Sequence, residues 1–285
     1  MGHIARLAAV APPRIGVVLN VGRAHVGEFG SVEAIARAKG ELVEAVPADG
    51  VVVLNADDPL VAAMASRTPA RVVTVGRRDA QIRAEDVRLE GGRARFTLVT
   101  ASGNAPVALR LVGEHHVGNA LAAAAVALEL GGTPAAVAAA LSAAEPASRW
   151  RMEVTDRADG LTVVNDAYNS NPESMRAALT ALAAIGDGSR RTWAVLGRMA
   201  EQGEGSAAAH AEVAALAREL GIDRLVAVDT ADYPGARRTA GVDEAVELLR
   251  AEAGPGDVVL VKASRTAGLE RVADALLRAP GPVPR

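Results

Sequence analysis

The stretch "LTVVNDAYNSNPESMRAALTALAAIGDGSRRTWAVLG" (161–197) decides the fold class, because a strand, a helix and a second strand follow one another closely in it. The β-branched run at 161–166 predicts a buried strand. Pro172 fits the first turn of a helix over 172–185, and "TWAVLG" predicts the next strand. Short connections of this kind indicate parallel strands covered by helices.

The same alternation continues towards the C-terminus. Apolar positions at helical spacing alternate with short β-branched runs in the order "AAAHAEVAALAREL", "RLVAVD", "VDEAVELLRAEA", "DVVLVKA" and "TAGLERVADALLRA". We therefore predict a Rossmann-like α/β domain over 147–285, in which four strands alternate with four helices. Its contacts are mostly local, so we expect this segment to fold independently.

Residues 1–146 have a mixed pattern and are predicted to form part of a separate α/β domain. The run "SVEAIARAKGELVEAV" (31–46) predicts a helix with Ser31 as its N-cap. Strands are predicted at 15–20, at the start of 50–59 and at 71–76. Antiparallel strands are predicted within 81–112, with turns at Gly91-Gly92 and around Gly103-Asn104, followed by an alanine-rich helix over 119–131. Read by itself, Asn119 is most simply the N-cap of that helix.

Composition excludes several functional classes. Among 285 residues, 50% are hydrophobic and 2% aromatic, so a core of Ala, Val and Leu is expected. The formal charge of −3 gives no case for nucleic acid or an anionic membrane as a partner. Cysteine is absent, which excludes disulfides and thiolate chemistry. No signal peptide or apolar run of about 18 residues is visible, and a soluble, cytoplasmic, monomeric protein without a membrane span is expected.

Polar side chains follow nearly every predicted strand, where ligands gather in parallel sheets. Any one of them alone is more simply a turn former or a helix cap, and Lys39 alone is most simply a solvated helix lysine. These residues are Asn20, His25, Asn55, Asp57, Asp58, Asn165, Asp166, Asn169, Asn171, Arg198, Glu201, Lys262, Ser264 and Arg265.

Familiar nucleotide signatures are absent from this sequence. No G-x-G-x-x-G opens a helix, which weighs against a dinucleotide dehydrogenase. No G-x-x-x-x-G-K-[ST] phosphate loop occurs either.

Seven motifs resemble, in order, those of the Mur ligase family, and the similarity runs from about Arg14 onward. They are "NVGRAHVGEFGSVEAIARAKGE", "LNADDP", "GEHHVGNALAAAAVA", "RMEV", "NDAYNSNPESMRAAL", "AVLGRMAEQGE" and "VLVKASR". "HVGEFGS" and "NDAYNSNPESM" are similar to the member that joins D-alanyl-D-alanine to UDP-N-acetylmuramoyl-tripeptide in peptidoglycan synthesis. The folylpolyglutamate synthase branch would show Asp-Gly-Ala-His-Asn-Pro in place of "NDAYNSNP".

The resemblance implies an ATP-dependent amide-bond ligase that works through an acyl phosphate and uses Mg²⁺. By resemblance, His25 is a metal ligand, and Lys39 is carried as a carbamate, which is a carboxylate-like ligand for the same metal. Phosphoryl transfer depends chiefly on cations around the developing charge. Both residues are therefore implied to be catalytic.

The resemblance also assigns binding residues. Asn119, Asn55 and His116 are implied to contact adenine. Arg151 and Asp166 are implied to hold phosphate and ribose. Asn169, Asn171, Lys262, Ser264 and Arg265 correspond to the region of the incoming dipeptide or growing peptide, although turn and cap chemistry explains these five equally well.

Two departures from the family pattern qualify these assignments. Arg198 and Gln202 stand where an acidic residue and a leucine are common. The family's UDP-sugar domain, phosphate loop and an acidic metal ligand are expected before residue 1, so this polypeptide alone is expected to be inactive. Three hypotheses stay open: a ligase of this kind, a non-catalytic nucleotide- or partner-binding remnant, and a related ligase such as folylpolyglutamate synthase.

Overall fold

A computed structural model describes residues 2–22, 31–146, 148–200 and 202–278. The chain divides into two compact units, Met1–Glu145 and Pro146–Arg285. No helix of the described residues is long and apolar enough to cross a membrane.

The first unit is built on a mixed sheet with helices. Within the described residues its strand order is β1-β2-β3-β4-β5-β6, parallel from β1 to β4 and antiparallel from β4 to β6. In chain order the elements are α1 (His3–Val10), β1 (Ile15–Val18), α2 (Val32–Ala45), β2 (Val51–Asn55), α3 (Pro59–Ala62), β3 (Arg71–Gly76), β4 (Ile82–Glu90), β5 (Arg93–Thr100), β6 (Gly103–Val112), α4 (His116–Glu129) and α5 (Pro134–Ala143).

Strand β2 shows why this sheet is covered on both faces. Its run of valine and leucine is fully apolar, as expected for a strand buried on both sides. Val53 belongs to the core that α4 and α5 complete, whereas Val52 and Leu54 belong to the core that includes Ile35 of α2. Helices therefore flank the sheet, and the carboxyl ends of its parallel strands lie at one edge.

The second unit is a sheet whose strands run in the order β11-β10-β9-β12-β8-β7 within the described residues. All pairs are parallel except the edge pair of β7 and β8. The elements are β7 (Glu153–Asp156), β8 (Thr162–Asn165), α6 (Pro172–Gly186), β9 (Thr192–Leu196), α7 (Ser206–Glu219), β10 (Arg224–Val228), β11 (Arg237–Thr239), α8 (Val242–Glu252), β12 (Val258–Lys262) and α9 (Glu270–Leu277).

Strand β12 lies between β8 and β9, so the last strand in the sequence occupies an interior place. Val261 pairs with Asn165 on one side and with Val195 on the other. A hydrophobic core of this second unit includes Leu249 of α8 and Val272 of α9. The carboxyl ends of β8, β9 and β12 therefore meet at one edge of the sheet.

The α/β fold class and the main strands and helices are confirmed. Ser31 caps α2 as predicted, since its Oγ accepts from Ala34 N at 3.1 Å. The Gly91-Gly92 turn is also confirmed, and both glycines have positive φ.

Several details differ from the sequence prediction. The N-cap reading of Asn119 is wrong, because α4 already begins at His116 and Asn119 lies inside it. The second hairpin turns at residues 101–102, because Gly103 already opens β6. The sequence reading left α1, α5, β7 and β11 unassigned. The two strands among them are short, polar and at the sheet edges, so they lack the apolar pattern of a buried strand.

Candidate active site

Helix α2 carries Lys39 to the carboxyl end of β1. The helix starts at the Ser31 cap and buries Ile35 and Ala38 on its inner face. Lys39, one position further, is half-buried. Its Nζ donates to the carbonyl oxygen of Asn20 at 2.7 Å. The helix thus places an amine beside the backbone that leaves the first strand.

A cavity of about 310 Å³ adjoins this amine. Apolar side chains from α1, β1 and α2 line it, including Ile4, Val17 and Leu42, and its polar lining comes from Asn20 and Lys39. The cavity therefore gives Lys39 a mostly apolar surround on one side.

The predicted metal ligand His25 lies outside the described residues. Within the described ranges, no group of three or more His, Asp or Glu side chains could hold a metal ion.

Asn55 ties the ends of two neighbouring strands together. Its Nδ2 donates to the Leu19 carbonyl oxygen at 2.9 Å, and its Oδ1 accepts from Asp57 N at 3.0 Å. Asp58 continues this link, because its Oδ2 accepts from Val21 N at 2.7 Å. These bonds give Asn55 a structural role, and its adenine contact stays a prediction.

A chain of polar contacts joins the end of β3 to the start of α4. Asp57 Oδ2 accepts from Arg77 N at 2.8 Å, and Arg77 Nη1 lies 2.7 Å from Glu114 Oε1. Glu114 stands just before α4. The contacts therefore bring the first turn of α4 to the edge where Asn55 lies.

The first turn of α4 presents His116 and Asn119 together. Asn119 Nδ2 lies 3.4 Å from His116 Nδ1, the i, i+3 neighbour on the helix. Gly113 before the helix has φ +118°, and a Cβ there would lie 2.5 Å from His115 Cε1, so this approach requires glycine. Two of the three predicted adenine contacts thus share one turn of a helix.

In the second unit, Lys262 at the end of β12 is the centre of the carboxyl-edge cluster, which we define as Arg151, Asp166, Asn169, Lys262 and Ser264. Lys262 is 2% exposed. Its Nζ donates to Asp166 Oδ2 at 2.6 Å and to the Asn169 carbonyl oxygen at 2.8 Å. Burial lowers the pKa of Lys262, and the charge of Arg151 adds to this, although Asp166 opposes both.

Arg151 is set beside Asp166 by an unusual backbone. Trp150 and Met152 both have positive φ, of 60° and 48°, a conformation uncommon for such residues. Met152 N donates to Asp166 Oδ1 at 3.0 Å. The Arg151 guanidinium lies 4.1 Å over the Tyr168 ring. The structure therefore brings together Arg151 and Asp166, the predicted ribose and phosphate contacts.

Three of the five predicted peptide contacts have clear structural duties. Asn171 caps α6, because its side chain accepts from Ser174 N at 2.8 Å and Ser174 Oγ accepts from Asn171 N at 3.0 Å. Asn169 Oδ1 accepts from Ser170 N at 2.8 Å. Ser264, which is 4% exposed, accepts from Ala200 N at 2.8 Å. Cap and turn chemistry accounts for Asn171 and Asn169, whereas Ser264 joins two loops that are distant in the sequence.

Arg265 is half-exposed and held in place from two sides. Its guanidinium lies 4.1 Å over the Trp150 ring, and Nη1 lies 3.0 Å from Glu270 Oε1. Arg149 approaches the same ring at 5.1 Å. Buried Trp150 Nε1 has no hydrogen-bond partner among the described residues. The edge of the sheet is thus rich in fixed cations, which suits anionic ligands.

Sequence reasoning missed Trp150 and Tyr168, on which the two arginines stack. The available signal was scarcity, because the chain has only two Trp and two Tyr. Trp150 directly precedes the motif "RMEV", and Tyr168 lies within "NDAYNSNPESM". Stacking on an aromatic face restrains a guanidinium while leaving its N–H groups available.

Comparison with known proteins places both units. A family model described as Mur ligase middle domain matches residues 1–127, and one described as Mur ligase, glutamate ligase domain matches residues 150–265. The chain is 54% identical over 308 aligned positions to the UDP-N-acetylmuramoyl-tripeptide–D-alanyl-D-alanine ligase of Mycobacterium tuberculosis, covering 97% of this chain and 60% of that relative. The enzyme of the same name from Escherichia coli is 34% identical, with 96% and 62% covered.

Solved structures agree with this placement. A crystal structure of MurF from Acinetobacter baumannii matches with a TM-score of 0.88 at 29% identity, covering 97% of this chain and 62% of that one. MurF from Thermotoga maritima in complex with ADP matches with a TM-score of 0.86 at 25% identity, with 97% and 64% covered. The chain therefore spans about 60% of the length of the relatives it matches.

Proposed function

Because the chain belongs to the Mur ligase family, we propose that it forms the middle and C-terminal parts of an ATP-dependent ligase. The ligase would join D-alanyl-D-alanine to UDP-N-acetylmuramoyl-tripeptide in peptidoglycan synthesis. The observation that carries this proposal is the 54% identity, across 97% of the chain, to the mycobacterial enzyme of that name. The cationic edge of the second unit supports it, since ATP and the UDP-linked tripeptide are anions and D-alanyl-D-alanine carries a carboxylate.

The reaction proceeds in two steps. A carboxylate oxygen of the tripeptide attacks the γ-phosphorus of ATP, the bond to the bridging oxygen breaks, and ADP leaves an acyl phosphate behind. The amine nitrogen of D-alanyl-D-alanine then attacks the acyl carbon, phosphate departs, and the nitrogen loses a proton. Protein groups assist mainly by orienting the reactants and by stabilising the negative charge.

Lys39 and His25 are the proposed ligands of Mg²⁺, which would neutralise charge on the phosphate oxygens. We assign Lys39 the carbamate form, in which the amine becomes an anion with two oxygen donors. A carbamate nitrogen keeps one N–H, and this suits the 2.7 Å contact from Lys39 Nζ to the Asn20 carbonyl. A carbamate forms when an unprotonated amine adds to CO₂ and loses a proton, and the cavity beside the amine leaves room for the added group.

The two units have different tasks in this proposal. Residues 1–146 hold adenine through Asn119, His116 and Asn55 and hold the metal, whereas residues 147–285 contact phosphate, ribose and the incoming amine. Arg151 is suited to phosphate, because a guanidinium donates two parallel hydrogen bonds to an oxyanion. Arg265 is the best placed of the predicted peptide contacts, since its side chain is half-exposed.

We place the reaction in the cytoplasm and assign it to a monomer.

The 285 residues contain no G-x-x-x-x-G-K-[ST] phosphate loop, whose backbone amides and lysine hold the β- and γ-phosphates in many nucleotide enzymes. The polypeptide tested alone is therefore expected to release no ADP.

The test is an ADP-release assay on a protein in which the chain is joined to the remaining part of a close relative. ADP release should require both UDP-N-acetylmuramoyl-tripeptide and D-alanyl-D-alanine. Release that requires glutamate and a folate instead would support the folylpolyglutamate synthase alternative. Nucleotide binding without any ADP release would support the non-catalytic alternative and contradict the proposal.

A further inference from the structure

We propose that His210 is a positioning residue, which acts as a neutral imidazole to fix the loop at the carboxyl end of β9. His210 lies on α7 and is 0% exposed. Its Nε2 lies 2.9 Å from Met199 N, and its Nδ1 lies 2.7 Å from the Ser206 carbonyl oxygen. The Ser206 hydroxyl is more distant, at 3.5 Å from Nδ1.

These partners determine where the ring proton must be. The backbone N–H of Met199 only donates, so Nε2 must accept and carries no proton. The Ser206 carbonyl only accepts, so Nδ1 must carry the proton. The ring is therefore neutral and in the Nδ1–H tautomer. No other protonation state satisfies both neighbours.

The loop that His210 contacts, Gly197–Ala200, is held at every residue. The Tyr233 hydroxyl donates to the Gly197 carbonyl at 2.8 Å, and Ser264 N donates to the Arg198 carbonyl at 3.0 Å. Ala200 N donates to Ser264 Oγ at 2.8 Å. His210 supplies the partner for the remaining position, Met199 N. Without the imidazole acceptor, the buried N–H of Met199 would lose this hydrogen bond.

The loop is held by close packing as well as by hydrogen bonds. Tyr233 is 1% exposed, and its ring stands edge-on to His210 with centroids 4.9 Å apart. Burial raises the pKa of Tyr233, so its hydroxyl remains a donor. A Cβ on Gly197 would lie 2.8 Å from Ala263 Cβ. The loop therefore has little freedom to shift while all these contacts are made.

Fixing this loop sets the direction of two side chains. Met199 is 1% exposed and anchors the loop inward, whereas Arg198 is exposed at the sheet edge that carries Lys262 and Ser264. His210 thus acts through the loop and does not itself touch a ligand. Its effect on catalysis rests on the proposed function, in which this edge receives the incoming amine.

Two measurements on the full 285-residue chain test the positioning role without any ligase assay. In ¹⁵N NMR, His210 should show a protonated Nδ1, an unprotonated Nε2 and a coupling between Nε2 and Met199 N. In His210→Leu, hydrogen exchange at Met199 N should accelerate roughly 10- to 100-fold relative to the wild type. His210→Gln should restore slow exchange, because its Oε1 reaches the Nε2 position as an acceptor.

The matched control is Val213→Ala on the same helix, where a 3% exposed side chain is truncated. It should weaken the second unit generally, without singling out Met199. A proton on Nε2, or unchanged Met199 exchange in His210→Leu, would overturn the proposal. Equal acceleration across the unit in His210→Leu and Val213→Ala would do the same, since it indicates packing alone. If the leucine variant fails to fold, the wild-type spectrum and the glutamine variant decide.

A kinetic arm uses the joined, full-length protein. His210→Leu should raise the KM for D-alanyl-D-alanine roughly tenfold, because a displaced loop misplaces the amine, while the KM for ATP changes little and His210→Gln behaves like the wild type. Equal effects on both KM values would contradict the assignment to the amine side. Absence of activity in the wild type would refute the proposed function, and the exchange data would still decide the role of His210.

Discussion

Lysine occurs at only two positions of the chain, Lys39 and Lys262, whereas arginine occurs at 29. The two lysines differ in almost every physical respect. Lys39 is half-buried on a helix and donates to a backbone carbonyl, but Lys262 is 2% exposed at a strand end and is paired with Asp166. We propose that this arginine-rich chain uses lysine at the two positions where arginine could not substitute, for a different reason at each site.

At Lys262 the reason is size and charge density. A compact ammonium fits between Asp166 Oδ2 and the Asn169 carbonyl, and a planar guanidinium is larger and needs more donors satisfied. At Lys39 the proposed reason is chemical, since only an amine forms a carbamate. One lysine therefore remains a cation that organises the site, while the other is proposed to become an anion that binds metal.

Replacement of Lys39 should give the largest effect. In the full-length protein, Lys39→Ala should lower kcat by at least roughly a hundredfold, because a metal ligand is lost. Lys39→Arg should be equally impaired, since guanidinium keeps its positive charge. High concentrations of a short carboxylic acid should restore part of the alanine variant's activity. Steady-state ADP release measures all three.

The other readings of Lys39 give different results. A solvated helix lysine predicts near-wild-type rates for both variants. A lysine that binds phosphate directly predicts partial activity for Lys39→Arg and no effect of added acids. An active Lys39→Arg variant would therefore contradict the carbamate assignment. The proposed chemical difference between the two lysines would then no longer hold.

Replacement of Lys262 should mainly reduce stability, and activity with it. Lys262→Met should lower the free energy of unfolding by about 3–5 kcal/mol, because the mostly buried Asp166 loses the ammonium group that its Oδ2 contacts. The double variant Lys262→Met/Asp166→Asn should recover most of that stability, since no unpaired charge remains, but should not recover ligase activity. Denaturant melts and ADP release separate the two effects. A single variant as stable as the wild type would contradict the role of the buried pair.

Asn171 tests whether a neighbour of Lys262 is structural only. Asn171→Ala should cost about 1 kcal/mol, the usual loss for an N-cap, and Asn171→Ser should cost much less because serine also caps. Thr133→Ala, which removes the cap on α5, is the matched control in the first unit. If Asn171→Ser keeps its melting temperature but loses ligase activity, the side chain contacts substrate after all.

The smallest expected effect is a slope in stability with pH. The pKa of Lys262 is lowered from its ordinary 10.5 in the folded protein, chiefly by burial, so the folded protein holds this proton less tightly than the unfolded chain. The free energy of unfolding should therefore rise with pH from the folded-state pKa up to about 10.5. Lys262→Met should flatten this rise, whereas Val213→Ala should keep it. An unchanged slope in Lys262→Met would contradict the lowered pKa.

Much of the fold was predictable because its strands are buried on both faces. Continuous valine-rich runs such as β2 and β12 are typical of interior strands. The helix between β8 and β9 buries Met175, Leu179 and Leu182 at helical spacing. Edge elements were not predictable in the same way, since β7 and β11 face solvent and have polar sequences. Asn119 was misjudged because an asparagine before an alanine run resembles a cap, whereas the helix starts one turn earlier at His116.

The sequence motifs predicted which residues belong to the site, but not which of these residues contact one another. The motifs pointed to Asp166 and Lys262, but only the structure shows that they pair across 96 residues. Cap and ligand roles gave identical patterns for Asn171 and Asn169, and their hydrogen bonds now show local duties. His210 carried no sequence signal, since its importance depends on the backbone N–H it meets.

The interior place of β12 has a consequence for how the second unit is made. Strands β8 and β9 emerge from the ribosome long before β12 but cannot pair with each other, because β12 must enter between them. The two halves of the sheet, β7-β8 and β9-β10-β11, keep unpaired edges until Val258–Lys262 has been synthesised. The central strand pairing therefore forms late and joins segments that are distant in the sequence. Lys262 is the last residue of β12. The insertion of this strand therefore completes the sheet and places the charge that organises the site in the same step of folding.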